Sequence, residues 1–361
     1  MKLVEKLKSI NKQKLPSKLL FNPEWIVLGV NNVCNLHCKM CDVGNENLES
    51  NFAQNLVGTH PLNMPADLLK KVVDQMAEHY PKTKLAYAFT EPLVYPHLIE
   101  TLEYANSKGI YTSLTTNALT LKQKAVKLSV AGLNEINISL DGPCEIHNEI
   151  RGHKKSFQKA IEGIELLASQ KHVPKISVIC AITEWNVGNL ATLLESLIKL
   201  PIEEIGFMHT QFTTKKAAEL HNATKWGMKY PAVDSNMDEI DFSNMDLKAL
   251  NLEIDSIKNG EYPFRVYFSP NISNLNDLET YYLSPEKIIG KYCNSIFTNM
   301  MVKSDGSVIP AHGRCFNLDI GNVYNNTLDE IWNSSVVGRF RSDIMEAGGL
   351  FPACSRCCSG F

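Results

Sequence analysis

Trp25-Ile26-Val27-Leu28-Gly29-Val30, followed a few residues later by Cys34-Asn35-Leu36-His37-Cys38-Lys39-Met40-Cys41, is the stretch on which the reading of this 361-residue chain turns. A short apolar run reads as a buried strand. The polar residues Asn35, His37, Lys39 and Asp42 make the cysteine-bearing segment a loop rather than core. Three soft thiolates on one loop can each bind a different iron of a cubane cluster, which leaves the fourth iron open to a substrate or cofactor. Zinc is the competing metal: structural zinc gathers thiolates in C-x2-C pairs and closes its tetrahedron with a further ligand, which His37 offers here.

Outward from this loop the chain alternates. Leu68, Leu69, Val72, Val73 and Met76 recur at helical spacing before a strand over Lys84 to Phe89. A helix over Pro96 to Ser107 precedes a strand over Ile110 to Thr115, and one over Leu121 to Val130 precedes Glu135 to Leu140. A helix over Phe157 to Ala168 precedes Ile176 to Ile182, and a stripe of Leu190, Leu193, Leu194, Leu197 and Ile198 precedes Glu204 to Met208. Six strands separated by helices require a parallel sheet with right-handed crossovers. The predicted fold is α/β: a partial (β/α)6 TIM-like barrel over 24–260, preceded by a basic arm over 1–23 and followed by a small α+β domain over 261–361. A barrel is preferred to a doubly wound sheet because the informative residues fall at the C-terminal strand ends. A long excursion at 209–245, with an acidic run including Asp234, Asp238, Glu239 and Asp241, reads as a lid, a pocket wall or a plain surface excursion.

Composition bounds the function. Hydrophobic residues at 44% and charged residues at 21% predict an ordinary buried core. A net charge of -3 gives no footprint for nucleic acid. The first twenty residues carry six lysines and one glutamate without a signal-peptide core, and no apolar run reaches membrane-spanning length. The expectation is a cytoplasmic protein, not an integral membrane one. Ten cysteines gathered near the two ends of the chain then point to metal rather than disulfides. Leu3, Val4, Leu7 and Ile10 fall at helical spacing among the lysines, either as a surface for a membrane or an acidic electron donor, or as a helix packed across one end of the main domain.

The C-terminal third has its own pattern. Asn299 to Pro310 reads as a β-hairpin around an Asp305-Gly306 turn, with Cys293 before it, Cys315 after it and Cys354-Ser355-Arg356-Cys357-Cys358 near the end. Cys293, Cys315, Cys354 and Cys357 suffice to close one [4Fe-4S] cluster. A zinc ribbon competes for the same four residues. Cys358 either replaces Cys357 or remains a free thiol beside the metal. Cys180, in an apolar strand, reads as a small buried hydrophobe.

C-x3-C-x2-C after a first strand resembles the signature of the radical S-adenosylmethionine (radical SAM) enzymes. The resemblance implies that the open iron of a [4Fe-4S] cluster held by Cys34, Cys38 and Cys41 chelates SAM, whose reductive cleavage gives methionine and a 5'-deoxyadenosyl radical. It also implies SAM contacts at later strand ends. Phe89-Thr90-Glu91-Pro92 stands where the family has Gly-Gly-Glu, so Glu91 is retained for the SAM ammonium while both glycines are replaced. Thr115-Thr116-Asn117 resembles a Thr-Asn pair near SAM, and Ser139-Leu140-Asp141-Gly142 with His147-Asn148 and Arg151-Gly152 resembles the segment whose serine and arginine contact the SAM carboxylate. The C-terminal pattern resembles the twitch form of the SPASM auxiliary-cluster domain, although Ala311 stands where the family often has a cysteine. One auxiliary [4Fe-4S] cluster is implied.

The implied function is hydrogen abstraction from a small-molecule biosynthetic intermediate, with the auxiliary cluster assisting electron transfer in a net oxidation. An external electron donor such as flavodoxin or ferredoxin is the expected partner. Redox-neutral chemistry requires a hydrogen donor, for which Cys358 and Cys144 are the candidates. A small molecule is preferred because the basic arm is too short for a leader-binding domain. A maturase of ribosomal peptides is the alternative, and a non-enzymatic iron-sulfur or zinc protein the alternative from another class. Tyr87, His209, Gln211, His221 and Trp226 are candidate pocket residues.

Overall fold

A computed structural model describes residues 2–235, 241–272 and 274–361; Asp238 and Glu239 of the acidic run lie outside them. All six expected strands form: β1 (Trp25–Leu28), β2 (Lys84–Tyr87), β3 (Thr112–Thr116), β4 (Glu135–Ser139), β5 (Lys175–Ile182) and β6 (Glu204–His209). They pair in sequence order and in parallel. Helices Ala66–His79, Leu98–Ser107, Leu121–Val130, Ser156–Ala168 and Leu190–Leu197 separate consecutive strands.

The period-2 pleat divides each strand between two environments. Leu85 and Tyr87 of β2, Ile136 and Ile138 of β4, Ile176, Val178, Cys180 and Ile182 of β5, and Ile205 and Phe207 of β6 are buried in one core with the helical stripes Leu68, Leu69, Val72, Val73, Met76 and Leu190, Leu193, Leu194, Leu197. Each such side chain is worth roughly 1.5–3 kcal/mol of burial. The alternate positions, such as Glu135, Asn137 and Ser139 of β4, are half-buried. They form the barrel side, where Asn137 donates to Ser113 Oγ and Glu135 Oε1 at 3.2 and 3.1 Å.

The sheet is wider than the expected six strands. β7 (Arg265–Ser269) continues it in parallel beyond β6. The excursion contains helix Lys215–Asn222 and is followed by helix Leu247–Asn259, which leads into β7, so it is inserted in the sixth crossover, between β6 and β7. The C-terminal hairpin, β8 (Asn299–Val302) and β9 (Ser307–Pro310), forms as expected around Gly306, whose φ is +78°. β10 (Gly321–Asn322) adds to its outer edge. β8 pairs in parallel with β1, giving the order β10-β9-β8-β1-β2-β3-β4-β5-β6-β7. The residues after 260 therefore supply a strand at each flank of the barrel as well as the expected α+β unit. Among the described residues no helix is long and apolar enough to cross a membrane.

Candidate functional site

The loop after β1 is wound tightly by its own backbone. Cys41 N–H donates to Cys38 O at 3.1 Å and Asn45 N–H to Cys41 O at 2.9 Å. A second segment backs it: Lys39 N–H donates to Ile150 O at 3.0 Å. Gly152 takes φ +65°, and a Cβ there would stand 2.9 Å from His37 O, so the Arg151-Gly152 turn needs its glycine to close on the cysteine loop. Two side-chain donors face the sulfurs. Arg151 Nη1 lies 3.6 Å from Cys38 Sγ and Asn117 Nδ2 3.9 Å from Cys34 Sγ. Burial pushes the Cys38 thiol up to about 11, against the pull of the Arg151 charge, and also raises Cys34. Metal binding to such thiols releases protons, and N–H groups aimed at sulfur favour the thiolate that remains.

Glu91, Thr116 and Asn117 form one unit at the ends of β2 and β3. Glu91 Oε1 accepts from Thr116 Oγ1 at 2.6 Å and from Leu93 N–H at 2.9 Å, while Oε2 accepts from Asn117 N–H at 2.8 Å. Burial raises the Glu91 pKa against these three bonds. Asn117 then extends the chain of contacts to Asn35 Oδ1 at 2.8 Å, beside Cys34. Two positions earlier than Glu91, Phe89 takes φ +84°, in the left-handed region that favours glycine. Ser139 ends β4, half-buried on the barrel side.

Asp141 is the residue that sequence reading missed as a hub. Fully buried, its Oδ2 accepts from Arg151 Nε at 2.5 Å and its Oδ1 from Ala181 N–H at 2.9 Å. Its own N–H donates to His147 Nδ1 at 3.0 Å, which leaves His147 Nε2–H for Ser156 Oγ at 2.9 Å and fixes a neutral tautomer. Burial and the Arg151 charge hold His147 down at about 3. Burial opposes the Arg151 charge, yet Asp141 and Cys38 raise its pKa above the ordinary value. The only advance signal was the motif Asp141-Gly142; the partners come from other elements.

A second group of sulfurs converges at the C-terminal end. Cys293, Cys315, Cys354 and Cys357 line one cavity of about 830 Å³ of empty space, counting its mouth. Gln211, Phe212, Thr213, Ala232 and Val233 of the excursion also line it. Burial raises the Cys293, Cys315 and Cys354 thiols, to about 12 for Cys293, and a hydrogen bond with Cys358, with burial second, raises Cys357. The donor set suits a cluster: soft sulfurs on one cavity and no carboxylate among its lining residues. Cys358 turns aside, its Sγ 3.6 Å from His312 Nε2. His312, Cys357 and Cys358 have ligand atoms all within 4.8 Å of one another, so the imidazole stands beside the place where Ala311 replaces a family cysteine. Ala311 itself takes φ +60°.

Aromatic side chains fill the space between the two sulfur groups. Phe89 stacks on His312 at 6.2 Å and meets Phe52 edge-on at 6.3 Å. The Arg314 guanidinium lies 4.3 Å above Phe52. Cys41 and Phe89 both pack on a small apolar cluster of Val27, Phe52, Leu56, Met301 and Ile309.

Of the five candidate pocket residues, Gln211 lines the cavity and four do not. Tyr87 shares the helix-facing side of β2 with Leu85 and bonds Thr101 at 3.3 Å. His209 is held among Tyr281 and Tyr282, with Nδ1 2.8 Å from the Tyr282 hydroxyl, and burial lowers it to about 3. His221 donates Nε2–H to Tyr230 O at 2.7 Å and packs behind Phe316, and Trp226 packs on Phe351. All four are core residues because their rings complete apolar packing. Cys144 lies on helix Cys144–Ile150, where Gln158 Nε2 donates to its sulfur at 2.8 Å, and it is not among the cavity residues. Cys180 is fully buried, as expected.

Comparison with known proteins agrees with this geometry. A family model of the radical SAM superfamily matches residues 29–197, and one of an iron-sulfur cluster-binding domain, SPASM, matches 293–358. Fe-coproporphyrin III synthase of Methanosarcina barkeri is 27% identical over 202 residues, 55% of this chain and 47% of that protein. The chain thus spans less than half of that relative's length. PqqA peptide cyclase of Bradyrhizobium diazoefficiens is 22% identical over 96% of this chain and 82% of its own length. Streptococcus suis SuiB shares the fold, with a TM-score of 0.61 at 18% identity over 98% of this chain and 75% of that one. These domains carry a SAM-binding [4Fe-4S] cluster and an auxiliary iron-sulfur cluster, and the donor sets on the first loop and in the C-terminal cavity suit them. The two matches fall in order along one continuous sheet, so the chain carries a radical SAM domain over 29–197 and a SPASM-type iron-sulfur cluster-binding domain over 293–358.

Proposed function

We propose that Cys34, Cys38 and Cys41 hold the SAM-cleaving cluster, that Cys293, Cys315, Cys354 and Cys357 close one auxiliary [4Fe-4S] cluster, and that the enzyme oxidises a small-molecule biosynthetic intermediate. The observation that carries this reading is the gathering of four cysteines on one cavity whose lining residue His312 stacks on Phe89, which packs on the same apolar cluster as Cys41. When bound, the first cluster with SAM supplies a 5'-deoxyadenosyl radical for hydrogen abstraction.

The chain's own residues orient the reactants. Arg151, held by Asp141, presents its remaining guanidinium N–H groups to the SAM carboxylate, with Ser139 beside it. Glu91 Oε2 accepts one protein hydrogen bond and keeps lone-pair capacity for the SAM ammonium, while Thr116 and Asn117 lock its rotamer. The auxiliary site, sealed by four cysteines, suits one-electron transfer rather than substrate ligation. Cys358, beside His312, is the thiol we assign as hydrogen donor if the reaction is redox-neutral; Cys144 sits with Gln158 away from the cavity residues. The domain division we propose remains 1–23, 24–260 and 261–361, with β7 and β8 lent to the barrel sheet.

A peptide substrate is the second reading. It is favoured by the likeness over 96% of this chain to PqqA peptide cyclase and by the fold likeness to SuiB, which has been solved with its precursor peptide SuiA. The test of the common step is anaerobic reconstitution with dithionite and SAM. 5'-Deoxyadenosine should form with the wild type and vanish in Cys34→Ala, Cys38→Ala or Cys41→Ala, with about eight irons per chain in the wild type. Four irons with stoichiometric zinc, or no SAM cleavage, would remove the reading.

A further inference from the structure

Helix Lys2–Lys14 is turned inside out. Its polar side meets the protein: Lys8 reaches Glu24 at 3.2 Å, Lys12 donates to Asn294 Oδ1 at 2.8 Å, and Asn11 donates to Lys18 O at 2.9 Å. The Lys12 ammonium also lies over the rings of Phe21 and Phe297, at 5.9 and 5.7 Å. The apolar stripe faces outward: Leu3 is 69% exposed, Leu7 56% and Ile10 46%, at i, i+4 and i+7. Exposed Lys6 and Lys14 border it. A surface helix ordinarily buries such a stripe in its own core, so the fold leaves this one for another molecule.

Two further observations identify that molecule. The first twenty residues carry six lysines against one glutamate in a chain of net charge -3, so this end presents a local positive field that attracts an acidic partner. The helix is also clamped by Lys12 to Asn294, the neighbour of Cys293, which lines the thiol cavity. A protein seated on the outer stripe would stand about one helix diameter, ~10–12 Å, from that segment.

We infer that the stripe of Leu3, Leu7 and Ile10 with its lysine border is the docking surface for an acidic, low-potential electron-carrier protein. The reduced carrier gives up one electron and the auxiliary cluster gains it, with no bond made or broken in either. The inference rests on the proposal that the C-terminal thiols hold a redox cluster. A lipid surface would also accept a basic amphipathic helix, but the tie to the Cys293 segment favours an electron carrier.

The experiment uses the anaerobic holoenzyme, a flavodoxin as probe, and the variants Leu7→Asp/Ile10→Asp and Lys6→Glu/Lys14→Glu, all at solvent-facing positions. Calorimetric titration should show flavodoxin binding weakened at least about tenfold in both variants, and the KM for flavodoxin-driven cluster bleaching should rise in step. Bleaching by dithionite should keep its wild-type rate. Unchanged flavodoxin affinity in Leu7→Asp/Ile10→Asp overturns the inference. So does wild-type binding to phosphatidylglycerol vesicles, or a concentration-dependent dimer, that the variants abolish while flavodoxin still binds. If dithionite bleaches only one cluster, the auxiliary-cluster proposal fails, whereas the titration still decides whether the carrier docks here.

Discussion

Asp141→Asn tests whether the Asp141–Arg151 pair is the support of the cysteine loop after β1. The new side chain still offers an oxygen to Ala181 N–H, but it turns an amide NH2 toward Arg151 Nε, which now bonds a carboxylate oxygen at 2.5 Å. Asp141 is fully buried and the Arg151 side chain is only 12% exposed, so the guanidinium loses its counter-charge where water cannot replace it. Breaking a buried pair by removing one partner costs about 3–5 kcal/mol. With an unfolding entropy of about 2.1 cal/mol/K per residue over 361 residues, that loss lowers Tm by about 4–7 °C. The assay is differential scanning calorimetry of wild type, Asp141→Asn, Arg151→Met and the double variant under one buffer. The double variant should recover much of the loss, because no charge is left buried. A shift below about 1 °C for Asp141→Asn, or strict additivity in the double variant, would refute the argument.

Acid should destabilise the fold through His147 and His209, both held neutral by burial at about 3. Their folded values lie below the unfolded value near 6.5, so stability is whole above about pH 6.5 and is lost as pH falls toward 3, by about 2 kcal/mol per histidine at pH 5. Denaturant midpoints at pH 7 and pH 5 read this loss, and a His147→Gln/His209→Gln variant should show a flatter pH slope; an unaltered slope would count against it. For the C-terminal cysteines, Cys357→Ser should drop the iron content from about eight to about four per chain whereas Cys358→Ser should retain it, and the reverse outcome would exchange their roles.

The strands and helices were legible because their apolar residues repeat at the right period and their turns are marked. β7 escaped because Arg265-Val266-Tyr267-Phe268-Ser269 is an edge strand in which only Phe268 is buried, so its alternation is weak. The candidate metal ligands could be named from the sequence because thiol chemistry depends on residue type and clustering. Tyr87 and His209 were misplaced because a strand's period says which residues share a face, not which face meets the barrel; their parity with Leu85 and with Ile205 and Phe207 held the answer. Asp141 depends on Ala181, 40 residues later, and on the rotamer of Arg151, neither of which a linear pattern encodes.

The parallel register of β8 with β1, Trp25 opposite Asn299 through Leu28 opposite Val302, makes the end of the chain a component of its beginning. Removing the tail would bare the ladder groups along one side of the strand that leads into the cysteine loop, an invitation to edge-to-edge aggregation. The tail is therefore no detachable cassette: grafting it onto another barrel requires carrying β1 along. The spacing between the two sulfur groups is also anchored by covalent chain and hydrogen-bonded sheet, so it does not depend on how two separate bodies happen to dock.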